Sequence, residues 1–238
     1  MGSSRLPGKV MKDGAGKPLL GHLVERLAFS TQIEKTIVAT TSEAKDDRIV
    51  DYCEELGIPV FRGSEHDVLD RYYRAAREFG VESIVRVTSD CPLIDPRLID
   101  ETLKEFLPGM DDYDLVTNRH PLTFVDGLDF DVIPFFSLEI AWQSARLQNQ
   151  REHVVPFFWE NNLRVKNFSD PKQQFYSHRW TLDYLEDYEL IRSIYQELYR
   201  ESKLFETKEI MALLDRRSDL MELNSKYLPK RPESQKGQ

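Results

Sequence analysis

Residues Ser83–Pro96 read SIVRVTSDCPLIDP. The first six, Ser83–Thr88, are dense in β-branched and apolar side chains, the composition of a strand. Ser89-Asp90-Cys91-Pro92 follows with turn chemistry. Asp95-Pro96 then opens a helix, with the acid as N-cap and the proline at the first helical position. A strand, an acid-bearing turn and a capped helix in immediate succession are the repeating unit of an α/β domain.

The same grammar extends in both directions. Upstream, Pro18–Phe29 has apolar residues at helical spacing, and Lys35–Thr40 (KTIVAT) reads as a buried strand. Asp46–Leu56 is an amphipathic helix stopped by Gly57, Pro59–Phe61 a short strand, and Asp67–Phe79 a helix capped by Asp67 and ended by Gly80. Downstream, the helix from Asp95 runs to Phe106. Strands are predicted at Tyr113–Asn118, Asp129–Ile133, Arg164–Phe168 and Arg179–Leu182, with Asp129–Ile133 alternating as a half-exposed strand does. Helices are predicted at Ser137–Ala145, Arg151–Glu160, Glu186–Tyr199 and Lys208–Leu214. The pattern gives an α/β fold on a mostly parallel sheet, one domain over residues 1–223, and a flexible Lys/Pro/Ser/Gln-rich tail over 224–238.

Composition narrows the function. The chain of 238 residues carries 41 acidic and 32 basic side chains, a net charge of −9, and 40% hydrophobic residues. That is enough apolar material for a core, and an acidity that argues against nucleic-acid or membrane partners. No apolar run has the length of a membrane span, and no signal peptide is visible. Cys53 and Cys91 have no metal or CxxC spacing, so a reducing, cytoplasmic setting is expected.

In α/β sheets, ligands bind beyond the carboxyl ends of the strands. Asp90 follows one predicted strand and Asp183 another. Each reads either as a turn or cap acid, or as a carboxylate holding a hard cation against phosphate oxygens. The chain opens with Gly2-Ser3-Ser4-Arg5-Leu6-Pro7-Gly8-Lys9 and continues to Gly16-Lys17. Small residues let backbone approach a ligand, and Arg and Lys add charge, which suits a polyphosphate as well as it suits a loose terminus. The spacing is not that of a Walker loop. Asp126-Gly127-Leu128-Asp129-Phe130-Asp131 is either a solvated hairpin turn or a polar wall for a hydroxylated acceptor. His153, near the start of a predicted helix, reads either as a structural histidine, the commoner case, or as an acceptor contact; Arg179 is a further acceptor candidate, because a guanidinium binds anions. Arg62 and the Asp67, Asp70 and Arg71 set read as caps and surface i, i+4 pairs.

Together these segments resemble the sugar-activating cytidylyltransferases, the superfamily of the CMP-Kdo and CMP-sialic acid synthetases, and within it the spore-coat-polysaccharide branch. The resemblance is carried by Gly2–Lys9 with Gly16–Leu19, Arg86–Pro96, Arg62-Gly63-Ser64 with Asp67–Tyr72, Gly127-Leu128-Asp129, Arg151–Val154, and Arg179–Asp183 with Glu186-Asp187. It implies a Rossmann-like nucleotidyltransferase domain with a small insert, here 119–165, for acceptor binding or dimerisation. It implies CTP and a sugar as substrates, Mg²⁺ as cofactor, and a homodimer. By the same resemblance Gly2, Ser3, Ser4, Arg5, Lys9, Lys17 and Ser89 face the nucleotide. Asp90 and Asp183 hold the metal, Arg5, Lys9, Asp90 and Asp183 are catalytic, and the Gly127–Asp131 and His153 region faces the sugar or the partner subunit; with the reading of the residues above, the acceptor candidates are Asp126, Gly127, Asp129, His153 and Arg179. Departures are Ser89 in place of Gly, Asp131 in place of Glu, and Tyr184-Leu185 in place of Thr-Pro. Relatives also carry an apolar strand and Ala-Arg before the glycine-rich loop, where this sequence has Met1, so the first strand is expected to be missing. Use of another nucleoside triphosphate, or a non-catalytic binding or assembly role, are the alternatives to CMP transfer.

Overall fold

The β-branched runs do form the strands. The computed structural model describes residues 1–172 and 176–229. It contains β1 (Val38–Thr41), β2 (Val60–Gly63), β3 (Ser83–Val87), β4 (Leu115–Thr117), β5 (Phe130–Pro134) and β6 (Val165–Asn167). Helices α1 (Leu19–Leu27), α2 (Asp47–Glu55), α3 (Val68–Glu78) and α4 (Pro96–Phe106) alternate with the first strands. Then come α5 (Phe135–Ser144), α6 (Gln148–His153), α7 (Pro156–Glu160), α8 (Leu185–Leu198), α9 (Thr207–Arg216) and α10 (Ser218–Glu222). The expected caps are in place: Asp67 accepts from the Asp70 amide ahead of α3, and Asp95 from the Arg97 amide ahead of α4.

The sheet is mixed. β1 and β2 pair in parallel, and β3-β5-β4-β6 form a second sheet in which β5 runs antiparallel to both neighbours while β4 and β6 are parallel. Among the described residues no strand joins β1 to β3. The carboxyl ends of both instead border a cavity of about 190 Å³, closed on another side by Ser3, Gly8 and Lys9 of the first loop.

Three predictions are corrected. Arg151–Glu160 is two short helices, because Val154 takes φ 69° and Pro156 has no N–H to carry the ladder across. Arg179–Leu182 is not a strand; its amides go to loops, Trp180 N–H to the Asp126 carbonyl and Leu182 N–H to the Asp90 carbonyl. Asp129–Ile133 is not half-exposed, because helices cover both faces of β5. Phe130 and Val132 join the apolar cluster of α1, α2 and α4, and Ile133 joins that of α3, α5 and α7. Burial on that scale, at about 25 cal/mol per Å² of apolar surface, is what fixes the register of β5 against β3 and β4.

A third cluster, built on Trp180, Leu182, Leu190, Ile194 and Leu213, packs α8 and α9 beneath the 179–183 segment. Asn224, where the tail was expected to start, is 3% exposed. Its amide reaches the Arg179 carbonyl and Asp187, and Tyr227 stacks on Tyr184 at 3.9 Å. Order therefore extends past residue 223, and residues 230–238 of the expected tail lie outside the described part. No helix among the described residues is long and apolar enough to cross a membrane.

Candidate active site

Two acids from distant segments meet on one ammonium. The turn after β3 is closed by the Cys91 amide on the Thr88 carbonyl, which presents Asp90 at the carboxyl edge of the sheet. Lys9 follows Gly8, whose φ of 67° opens a 3₁₀ turn. Its Nζ donates to Asp90 Oδ2 at 3.3 Å, to Asp183 Oδ1 at 3.1 Å and to the Leu182 carbonyl at 2.6 Å. Arg5 adds a second cation, its Nη2 donating to Asp183 Oδ1 at 2.9 Å while Nη1 reaches the Tyr184 hydroxyl. The first loop is thus folded onto both acids. Burial pushes the Asp90 carboxyl up, but Lys9 and Thr88 outweigh it and hold the group below its ordinary value. The Arg5 guanidinium is held above its ordinary value by Tyr184 and Asp183.

Behind Asp183 lies an ion-pair network. Arg179 donates to Asp126 Oδ2 at 2.5 Å, to Asp183 Oδ2 at 3.0 Å and to Asp187 Oδ1 at 3.3 Å. Asp187, fully buried, accepts the Asp183 and Tyr184 amides and so caps α8, as its place in the sequence suggests. Arg179 is therefore engaged by three carboxylates rather than open to an acceptor anion, and its work here is to orient Asp183. Asp126 faces Arg179 in the same way. Gly127 is required by contact: at φ 110°, a methyl there would sit 2.5 Å from the Thr181 nitrogen. Burial, then the charge of Asp126, pushes the Asp129 carboxyl up to about 7, and its Oδ1 has no hydrogen-bond partner.

Other expected site residues lie elsewhere. Lys17 pairs with Glu25 and the Tyr199 hydroxyl, 4.7 Å over the Tyr199 ring, not with Asp90 or Asp183. His153 is exposed at the end of α6, which packs on α3 and α7. Asp131 is fully buried, bound to Arg86 at 2.8 Å and Thr117 at 2.7 Å, inside the sheet rather than facing an acceptor. Ser3 accepts from the Leu6 amide and, with Ser89, lines the cavity. Gly2 and Ser4 are exposed at the start of the same loop.

Sequence reading missed three contributors. Tyr184 and Asn224 act through contacts across more than a hundred residues or from a polar tail, which no local pattern displays. Arg71 was read as a surface residue, but it turns inward, donates to the Ser64 carbonyl at 2.6 Å and lines the cavity. Its signal was its place four residues before the buried Ala75, on the same face of an amphipathic helix.

Kinship agrees with this geometry. Residues 1–217 match the family model described as cytidylyltransferase. The spore coat polysaccharide biosynthesis protein SpsF of Bacillus subtilis is 31% identical over 227 residues, 92% of this chain and 92% of that protein. The 3-deoxy-manno-octulosonate cytidylyltransferase of Trichlorobacter lovleyi is 36% identical over 113 residues, 46% of this chain and 43% of that protein. Among solved structures, a cytidylyltransferase from Leptospira borgpetersenii superposes with a TM-score of 0.87 at 32% identity, covering 93% of this chain and 92% of its own. A loop of cations folded onto two convergent acids, in a chain matched along nearly its whole length, leads to one conclusion: the protein belongs to the cytidylyltransferase family.

Proposed function

We propose that this nucleotidyltransferase moves CMP from CTP to a hydroxyl of an acidic or amino sugar destined for a surface polysaccharide, releasing pyrophosphate, in the cytoplasm and as a homodimer built on residues 119–165. The observation that supports the reading most directly is the Lys9 ammonium joined to both Asp90 and Asp183. Lys9 and Arg5 are in position to bind the triphosphate and to balance the charge that grows on the departing pyrophosphate. Arg179 holds Asp183 in orientation. Kinship with SpsF and with the 3-deoxy-manno-octulosonate enzyme supports a polysaccharide sugar as acceptor.

Asp90 and Asp183 fit Mg²⁺, a hard cation that takes one or two protein carboxylates together with phosphate oxygens. Both acids already share a single cation, so their oxygens converge. When bound, the ion supplies polarisation of the α-phosphate.

The test combines binding with turnover. Thermal stabilisation by CTP, UTP, GTP and dTTP with Mg²⁺ reads the base. Pyrophosphate release with CTP and 3-deoxy-manno-octulosonate, N-acetylneuraminate or an amino sugar reads the acceptor. Asp90→Asn is expected to lower kcat by about 10²–10³-fold. Stabilisation by another triphosphate in preference to CTP, or undiminished turnover in Asp90→Asn, contradicts the reading.

A further inference from the structure

Asp129 differs from the acids around it. Asp90, Asp126, Asp131, Asp183 and Asp187 each hold a cationic side chain. Asp129 Oδ1 is enclosed by protein and makes no hydrogen bond. An enclosed carboxylate oxygen with nothing donating to it is a standing cost to the fold, and such groups concentrate where chemistry uses them.

Its location follows from the register. β5 pairs with β3 so that Phe130 stands opposite Val87. One further step places Asp129 beside Thr88, at the carboxyl edge where Asp90 lies. Side chains alternate along β5: Phe130 and Val132 enter one apolar cluster, so Asp129 and Asp131 share the other face. Asp131 is committed to Arg86 and Thr117. Gly127 meanwhile lets the 126–129 loop lie directly on the backbone of Trp180 and Thr181, next to Asp183. Asp129 therefore sits between the two segments that carry Asp90 and Asp183, with an oxygen in reserve.

We infer that Asp129 is the general base of the transfer, its carboxylate receiving the proton of the attacking acceptor hydroxyl. The hydroxyl oxygen forms its bond to the α-phosphorus. The bond from that phosphorus to the oxygen bridging to the β-phosphate breaks, pyrophosphate departs with the electron pair, and the hydroxyl proton passes to Asp129 and then to solvent. The inference rests on the transfer reading given above. The groups facing Asp129 suit the role. Asp126 and Asp131 repel its charge, Arg119 moderates that repulsion, and the buried thiol of Cys91 is close enough to feel it. Burial and Asp126 bring the carboxyl to about 7, where a base is both largely available and basic enough to take a proton.

The experiment is Asp129→Asn in the full chain, assayed with CTP, Mg²⁺ and whichever of the three sugars named above releases pyrophosphate with the wild-type protein. The expected result is a fall in kcat of about 10²–10⁴-fold. The KM for CTP and thermal stabilisation by CTP stay unchanged. Wild-type kcat/KM rises with pH through about 7, and the variant loses that limb. Asp129→Glu recovers part of the rate. Because Asn keeps the shape and removes a repelling charge, the variant is expected to melt no lower than wild type; should it fail to fold, Asp129→Ser takes its place. A variant that keeps wild-type kcat, keeps the limb near pH 7, or loses rate only in step with CTP affinity overturns the inference while leaving the transfer reading standing. A wild-type protein that binds CTP but releases no pyrophosphate with any of the sugars overturns the transfer reading, and this inference with it.

Discussion

Gly127→Ala is expected to damage both stability and turnover, by an amount the structure allows to be worked out. The added methyl would lie 2.5 Å from the Thr181 nitrogen and the Trp180 carbonyl carbon, and 2.8 Å from the Trp180 oxygen. All three are backbone atoms, so no side chain can rotate aside. An L-residue at positive φ costs about 1–2 kcal/mol. Forcing packed groups apart costs about 1–3 kcal/mol more. The sum of about 2–5 kcal/mol corresponds to a melting point lower by roughly 4–20 °C in a chain of this size. Gly80→Ala separates the two contributions: Gly80 has φ 62° but nothing within 4 Å of the place a methyl would take, so it carries the conformational cost alone. Melting followed by circular dichroism, with both variants side by side, is the assay. The displaced backbone also carries the Leu182 carbonyl and Asp183, both bound to Lys9, so pyrophosphate release should fall by about 10²-fold. If Gly127→Ala melts no lower than Gly80→Ala, the close approach of the two loops is refuted.

Two further outcomes follow from buried charge. Arg86→Met leaves Asp131, fully buried, without its cation, and unfolding by urea should show a loss of about 3–5 kcal/mol that Asp131→Asn in the same chain partly restores. His22 is buried against Tyr195 at 3.9 Å with its protonation lowered by that burial to about 4. The unfolded chain takes the proton as pH falls through about 6.5 and the folded ring only near 4, so stability is lost across that window as acid is added. Comparing urea unfolding at pH 7 and pH 5, wild type should lose about 2 kcal/mol more than His22→Phe; equal losses would contradict a neutral buried ring.

Much of this was legible in the chain. The strand–turn–helix unit at Ser83–Pro96 displays its own boundaries, because β-branched density, a turn proline and an Asp-Pro cap are local signals. Asp90 could be placed for the same reason. Lys9 could be proposed for the site, yet its simultaneous hold on Asp90 and Asp183 spans 81 and 174 residues, a distance over which sequence carries no geometry. Arg179 shows the limit most clearly. Its residue type suggested an open anion site, and only the fold reveals that Asp126, Asp183 and Asp187 already occupy it. Arg179–Leu182 had the composition of a strand, but its amides found loop carbonyls instead. The alternation of Asp129–Ile133 was real, while its exposure depended on helices that cover both faces.

Lys9 also has a mechanical meaning. The β1–β2 pair and the four-stranded sheet share no ladder among the described residues. Lys9 stands on a loop that closes the cavity between them and is fastened to the Asp90 turn and to Leu182 and Asp183. Leu182 is in turn sewn to the Asp90 carbonyl at 2.8 Å. The side chain that would grip the nucleotide is thus also a rivet of the fold. Cutting it leaves two carboxylates facing each other with less positive charge between them, so activity and cohesion of the fold should be lost through the same atom. A screen for inactive variants at this position would collect loosened molecules, and a screen for loosened molecules would collect inactive ones.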